Sequence, residues 1–305
     1  MFKASTLAFF YAETGLHAGN GQSLGAIDLA IQRERYTDFP VVAASGVKGA
    51  ARDWFSRAPA GDGPSNVEAI FGPDTQNAGD HAGAVAFTDA RTLLFPVRSA
   101  RGVFAWTTCP AVLGRFRRDL ALAGHPDDIP ELPKIEQDDT ALTTSDALTL
   151  DGWVLLEEYV FRPQQEGAVQ TLATWLADHA LPGESPEYRF WAERLQTHLV
   201  VLSDNAFTDF VRHSTEVQAR VKLDPETKTT SGPLGNLFYQ ENLPADTLLY
   251  TAVLAADDLR PAAKRPNGRL AADELLTEVR RLNGQRIQLG GDETVGKGIC
   301  AVRFL

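Results

Sequence analysis

Residues 290–298 read GGDETVGKG, and within them Gly291, Gly296 and Lys297 are spaced as in the opening of a phosphate-binding loop. Such a loop needs Ser or Thr after the lysine to hold Mg²⁺, and a helix whose N-terminus faces the phosphates. Gly298 stands in the hydroxyl position, and the ICAVRFL that follows is strand-like. Both departures argue against a nucleotide site. Two uses remain for the glycines: close approach of a sugar-phosphate backbone, or a tight hairpin with glycine at positive φ. Further groups of acid–base type lie near the other end. Asp28 in SLGAIDLAIQRE reads, from its own surroundings, as a loop or edge-strand carboxylate. His17, eleven residues upstream in the glycine-rich HAGNGQSL, has the chemistry to donate a proton to a leaving oxygen or to contact phosphate. No His/Cys/Asp cluster has metal-ligand spacing. Cys109 and Cys300, the two cysteines, form no CxxC and fit a reducing cytoplasm.

The elements that must position these groups follow from periodicity. Lys3–Tyr11 alternates as a half-buried strand does, and its brevity and flanks are not those of a signal peptide. Ser45 reads as the N-cap of a helix over GVKGAARDWFSRA, with Val47, Ala51, Trp54 and Phe55 on one face. Lys48 and Arg52 lie one turn apart, away from that face. AVAFTDARTLLFPV (84–97) reads as strand, and PAVLGRFRRDLALAG (110–124) as helix with RFRRD on a solvated side. Residues 125–150 are acidic and proline-bearing, as a mobile insertion is. WVLLEEYVF reads as strand, followed by helices near 168–180, 188–200 and 204–214. EVQARVKLD and TLLYTAVLAA read as paired strands flanking an excursion over 225–245. The helix AADELLTEVRRLNG, the strand QRIQL, the glycine loop and a last strand complete the chain. This order predicts an α+β fold, with helices on one face of an antiparallel sheet, of ferredoxin-like or RNA-recognition type, and insertions as separate lobes.

Charge narrows the partners. The net charge of −11 argues against nucleic acid at first sight, but residues 121–210 alone carry −13 and the flanks together +2. Nucleic acid is read by local patches, so an RNA surface on the flanks is compatible with the total. Hydrophobic content of 44% supports a buried core, and no apolar run approaches the roughly 20 residues that span a bilayer.

Three stretches carry a family resemblance: TGLHAGNGQSLGAIDLAIQRERYTDFPVVAASGVKGAARD (14–53), IFGPDTQNAGDHAGAVAFTDARTLLFPVRSARGVFAWTTCP (70–110) and GGDETVGKG. Together they resemble the backbone subunit of type III-B (Cmr) CRISPR effector complexes, within the RAMP superfamily. The resemblance implies a modified RNA-recognition fold with a β-hairpin thumb. Residues 1–120 would form the N-terminal part of a palm, 121–214 an acidic, mostly helical insertion lobe, and 215–305 the thumb region and the rest of the palm. It also implies copies stacked head-to-tail along a guide crRNA, beside other Cmr subunits, in the cytoplasm and away from membrane. Each subunit would cut the bound target RNA once, whereas some relatives are RNA-binding scaffolds without catalysis. DPETKTTSGPLGNLFYQENLP (224–244) would be the thumb or its base.

Site residues follow from the same match. Asp28 takes the position of the essential aspartate, either deprotonating a ribose 2′-hydroxyl or helping to hold a divalent cation, Mg²⁺ or Mn²⁺, shared with RNA phosphates. His17 and the thumb-region carboxylate Glu241 would assist catalysis. Ser45, Lys48, Arg52 and Arg33 would contact guide phosphates, with Gly290, Gly291, Gly296, Lys297 and Gly298 supporting the guide backbone. From residue type alone, Arg33 and Arg35 equally suit pairing with Glu34 and Asp38, and Phe238 and Tyr239 suit either base stacking or core packing.

Overall fold

A computed structural model describes residues 2–22, 25–57, 66–126, 131–135, 137–182, 185–231, 236–265 and 268–305. The chain begins with β1 (Ala4–Ala12), continuously buried from Thr6 onward. It continues through β2 (Gly19–Gln22), β3 (Leu29–Ile31), β4 (Val41–Val42), α1 (Ala44–Arg57) and α2 (Val67–Phe71). Next come β5 (Val85–Phe87), β6 (Ala90–Arg98), β7 (Phe104–Thr108) and α3 (Pro110–Leu122). The middle segment supplies β8 (Thr140–Thr143), β9 (Thr149–Leu150), β10 (Trp153–Leu156), β11 (Tyr159–Gln165) and α4 (Gly167–His179). It ends with α5 (Arg189–His198), β12 (Leu199–Val201) and α6 (Asp204–His213). The last part holds β13 (Glu216–Lys222), β14 (Asn236–Asn242), β15 (Leu248–Ala255), α7 (Ala272–Val279), β16 (Arg286–Gln288) and β17 (Ile299–Phe304).

Two sheets organise the molecule. The larger runs β16-β17-β1-β15-β6-β7-β12-β8-β11-β10-β9, with β4 added to β6 and β5 to β15. At its centre β1 is antiparallel to both β15 and β17, with Phe9 opposite Tyr250 and Arg303. Phe9 packs edge-on against Phe116 of α3 and Trp175 of α4, while from beyond α7 Arg280 reaches the Thr6 hydroxyl at 3.0 Å. Thr6 and Phe9 point to opposite faces of one strand, so β1 is covered on both sides. That is why its seven last residues are buried where alternation predicted half. The smaller sheet runs β13-β14-β3-β2 and carries the candidate chemistry.

Several predicted elements shift for identifiable reasons. The 84–97 strand divides at Thr88–Asp89, because Asp89 turns out to accept the Ala44 N–H at 2.8 Å. Asp89 therefore caps α1 from outside, and Ser45 lies within the first turn, exposed, and is not the cap. EVQARVKLD pairs with Asn236–Asn242, residue for residue from Glu216↔Asn242 to Lys222↔Asn236, and not with the TLLYTAVLAA strand, which lies beside β1. β13 and β14 thus form a hairpin that overlaps the 224–244 stretch expected to be the thumb or its base; residues 232–235 lie outside the described residues. RFRRD is not a plain solvated face: Arg115 pairs with Glu34 at 2.6 Å and Phe116 is fully buried.

The acidic middle segment is part of the same architecture. Within 125–150, β8 and β9 form, whereas 127–130 and 136 lie outside the described residues. β12 pairs in parallel with β7 and antiparallel with β8, carrying the main sheet into the segment. Phe116 stitches the layers: its ring meets Phe9, Trp175 and Tyr250. Phe116→Ala should cost about 3–5 kcal/mol by cavity formation. The part of the main sheet around β1 and the middle segment should then melt together at a lower temperature, followed by near- and far-ultraviolet circular dichroism. Two separated transitions in the unmodified chain would mean independent lobes.

Candidate functional site

Parallel pairing of Gln240 in β14 with Leu29 in β3 brings two distant segments together. The Tyr239 N–H and the Glu241 carbonyl both face that edge of β14. Asp28, immediately before β3, accepts the Tyr239 N–H through Oδ2 at 2.8 Å while its side chain stays exposed. His17, just ahead of β2, places Nδ1 2.7 Å from the Glu241 carbonyl oxygen. A carbonyl only accepts, so Nδ1 carries the hydrogen and Nε2 is the nitrogen left for proton transfer. The two groups are therefore anchored two residues apart on one strand edge, about 7 Å of strand rise. An antiparallel bridge between Leu16 and Leu243 extends the same edge.

Glu241 itself is placed otherwise than expected. Its side chain is 4% exposed and takes Arg33 at 2.5 Å and the Thr215 hydroxyl at 2.8 Å on one oxygen. The other oxygen accepts the Ile31 N–H at 3.0 Å. It stands in for a strand carbonyl where β3 leaves β14, so in the chain by itself it braces the site. Removing one partner of such a pair leaves the other charge buried, a penalty of about 3–5 kcal/mol.

Most basic groups expected on RNA are committed within the chain. Arg33 also donates to the carbonyls of Asp38 and Val211, each at 2.8 Å, holding the last turn of α6. Glu34 and Asp38 pair instead with Arg115 and Arg212. Lys48 donates to the Val85 carbonyl at 2.9 Å and Arg52 to that of Pro73 at 3.0 Å. Burial, and then the neighbouring Arg52, hold the Lys48 ammonium below the usual lysine range. Arg35 is exposed, Tyr239 is 44% exposed, and Phe238 on the opposite face of β14 is half-buried.

The glycine loop packs closely against the chain's own backbone. A Cβ on Gly290, at φ 79°, would lie 2.2 Å from the His17 carbonyl oxygen; one on Gly298, at φ 73°, would lie 1.9 Å from that of Leu289. The Gly291 N–H donates to His17 O at 2.8 Å and that of Gly298 to Gly15 O at 2.9 Å. The N–H groups of Val295, Gly296 and Lys297 turn back on Asp292 and Glu293. Five N–H groups of the expected phosphate cradle are thus taken by the chain's own carbonyls. Strand β17, Ile299–Phe304, follows where a nucleotide loop requires a helix, and the loop itself holds a single 3₁₀ turn, Glu293–Val295. Lys297 is half-buried beside Gly15, with the Glu216 carboxylate flanking the same glycine.

The sequence profile of the RAMP superfamily matches residues 9–301. The chain belongs to the RAMP superfamily. Among RAMP relatives, the "CRISPR system Cmr endoribonuclease Cmr4" of Pyrococcus furiosus is 37% identical, covering 97% of this chain and 94% of the relative. The "CRISPR system CMR subunit Cmr4" of Saccharolobus solfataricus is 25% identical over 97% of this chain and 95% of its own. Oligomeric Cmr4 from P. furiosus, solved by crystallography, superposes with a TM-score of 0.75 at 31% identity, covering 99% of this chain and 98% of the other. A chain of the type III-B Cmr-beta complex bound to cognate target RNA shares the fold, with a TM-score of 0.72 at 19% identity over 99% and 98%.

Within this RAMP fold, sequence reading missed Asp292. Its Oδ2 accepts Arg220 of β13 at 2.7 Å and the side-chain amide of Gln240 of β14. An acidic residue among glycines was the available signal, since Asp tolerates the left-handed φ of 64° that the turn requires. The loop geometry makes a comparison of glycines informative. Gly298→Ala should destabilise well beyond the about 1–2 kcal/mol of left-handed strain, because the new methyl meets a backbone carbonyl. Gly296, at φ 75° with open space around it, should show only that strain as Gly296→Ala. Equal melting temperatures for the two variants would contradict the packing described.

Proposed function

We infer that this chain is a guide-RNA-binding backbone subunit of a type III-B CRISPR effector that cuts complementary target RNA, one cut per stacked subunit. The full-length relationship to a Cmr endoribonuclease supports the class of activity. The observation that carries the chemistry is the joint anchoring of exposed Asp28 and half-buried His17 on one edge of β14, near the root of a largely exposed hairpin.

In-line attack by a 2′-hydroxyl is not available in a regular A-form duplex, so the hairpin's part is to unstack a nucleotide, at a cost of a few kcal/mol. Asp28 then takes the 2′-hydroxyl proton as that oxygen bonds to the adjacent phosphorus. The bond from phosphorus to the 5′-oxygen breaks, and His17, protonated at Nε2, gives that oxygen its proton. The products are a 2′,3′-cyclic phosphate and a 5′-hydroxyl. Glu241 and Arg33 hold the strand that carries both groups and do not touch the RNA.

Among the described residues, no three His, Cys, Asp or Glu side chains converge to hold a metal. A divalent cation, Mg²⁺ or Mn²⁺, fits here only if Asp28 shares it with RNA phosphates, whose oxygens suit a hard ion; it would supply charge neutralisation at the phosphate.

Asp28→Asn keeps an acceptor for the Tyr239 N–H and removes the base. In the complex reconstituted with guide, this variant should bind labelled complementary RNA normally and leave it uncut, while the unmodified complex releases regularly spaced products. Undiminished cutting by the variant would remove Asp28 from the chemistry, and binding without cutting by the unmodified complex would make the chain a scaffold. Chelation by EDTA should stop cutting with guide still bound, and Mg²⁺ or Mn²⁺ should restore it; cutting that persists in EDTA rules the cation out.

A further inference from the structure

Three consecutive residues of β14 hold three different parts of the site. The Tyr239 N–H holds Asp28, the Gln240 side chain holds Asp292, and the Glu241 carbonyl holds His17. Around Asp292 the contacts close into a ring. Arg220 donates Nη2 to Asp292 at 2.7 Å and Nε to Gln240 Oε1 at 2.9 Å, while Gln240 donates its amide to Asp292. Gln240 is buried, whereas Arg220 and Asp292 are about one-third exposed. The ring spans both strands of the hairpin, since Arg220 is on β13 and Gln240 on β14.

Asp292 also reaches the site from its other side. Its neighbour Gly291 donates to the His17 carbonyl, and its own carbonyl accepts the N–H groups of Val295 and Lys297. One aspartate therefore joins the glycine loop, the His17 backbone and the root of the hairpin.

We propose that Asp292 is a positioning residue for RNA cleavage: its bridge to Arg220 and Gln240 fixes the hairpin root against the glycine loop, so that β14 presents Asp28 and His17 in one register. This rests on the ribonuclease reading above. Asp292 touches no reacting atom; it acts through the strand. A displaced β14 would move the carboxylate and the imidazole together relative to the RNA, and misplacement by about 1 Å is enough to cost about a hundredfold in rate.

The test uses Asp292→Gly, which removes the carboxylate while suiting a positive φ. In the guide-loaded complex, single-turnover cutting of bound complementary RNA should fall about a hundredfold, with guide and target binding unchanged. Asp292→Asn, which keeps one acceptor oxygen, should recover part of that loss, and adding Arg220→Gln to Asp292→Gly should cost nothing more. In the full-length chain without RNA, amide exchange across Asn236–Asn242 should quicken in Asp292→Gly with the melting temperature nearly kept. Unaltered cutting by Asp292→Gly overturns the proposal, as does a loss of guide binding that matches the loss of rate. Failure of the unmodified complex to cut overturns the parent reading as well, so the two failures are told apart.

Discussion

The single parallel pairing of β14 with β3, Gln240 opposite Leu29, sets the geometry of everything chemical in this protein. Pairing at one position leaves the next N–H of β3, that of Ile31, without a strand carbonyl, and Glu241 supplies a carboxylate oxygen in its place. A carboxylate in that position must be balanced, and Arg33 does so while gathering the carbonyls of Asp38 and Val211. The brace is expensive to break from either side, because each partner would strand the other's charge away from water. Its product is a rigid edge on which Asp28 and His17 are held by hydrogen bonds to backbone, without relying on each other.

The same economy of donors explains the glycine loop and the first helix. A loop rich in N–H groups suits phosphate only if those groups are free, and here Gly291, Val295, Gly296, Lys297 and Gly298 all donate to carbonyls of the chain. Gly290 and Gly298 are required because two segments of backbone lie too close for any Cβ. Lys48 and Arg52 likewise tie α1 to the carbonyls of Val85 and Pro73. The candidate site is thus assembled by basic groups turned inward, beside an exposed carboxylate, Asp28, and a half-buried imidazole, His17.

Much of this was legible in advance where the signal was local. The strands β1, β16 and β17 and the helices α3, α4 and α7 follow from periodicity and from Pro and Gly punctuation. Asp28 and His17 were legible as chemical types and by resemblance. The partner of β13 was not, because β14 and β15 are both apolar enough to pair, and only burial of β15 against β1 decides between them. The burial and pairing of Glu241 were not legible for a related reason. A glutamate beside a hairpin is ordinarily a surface group, and nothing in FYQENLP announces an arginine 208 residues earlier in the chain as its partner.

The amino-acid sequence by itself determined the family, the α+β class, the acidic middle segment and the identity of the groups able to move protons, because composition, period and motif are properties of short stretches. Only the tertiary structure decided which of those groups face solvent and which are spent on holding the chain. Whether a donor or carboxylate is free depends on the carbonyls and charges that folding brings within hydrogen-bond reach, and those come from positions far apart in the chain.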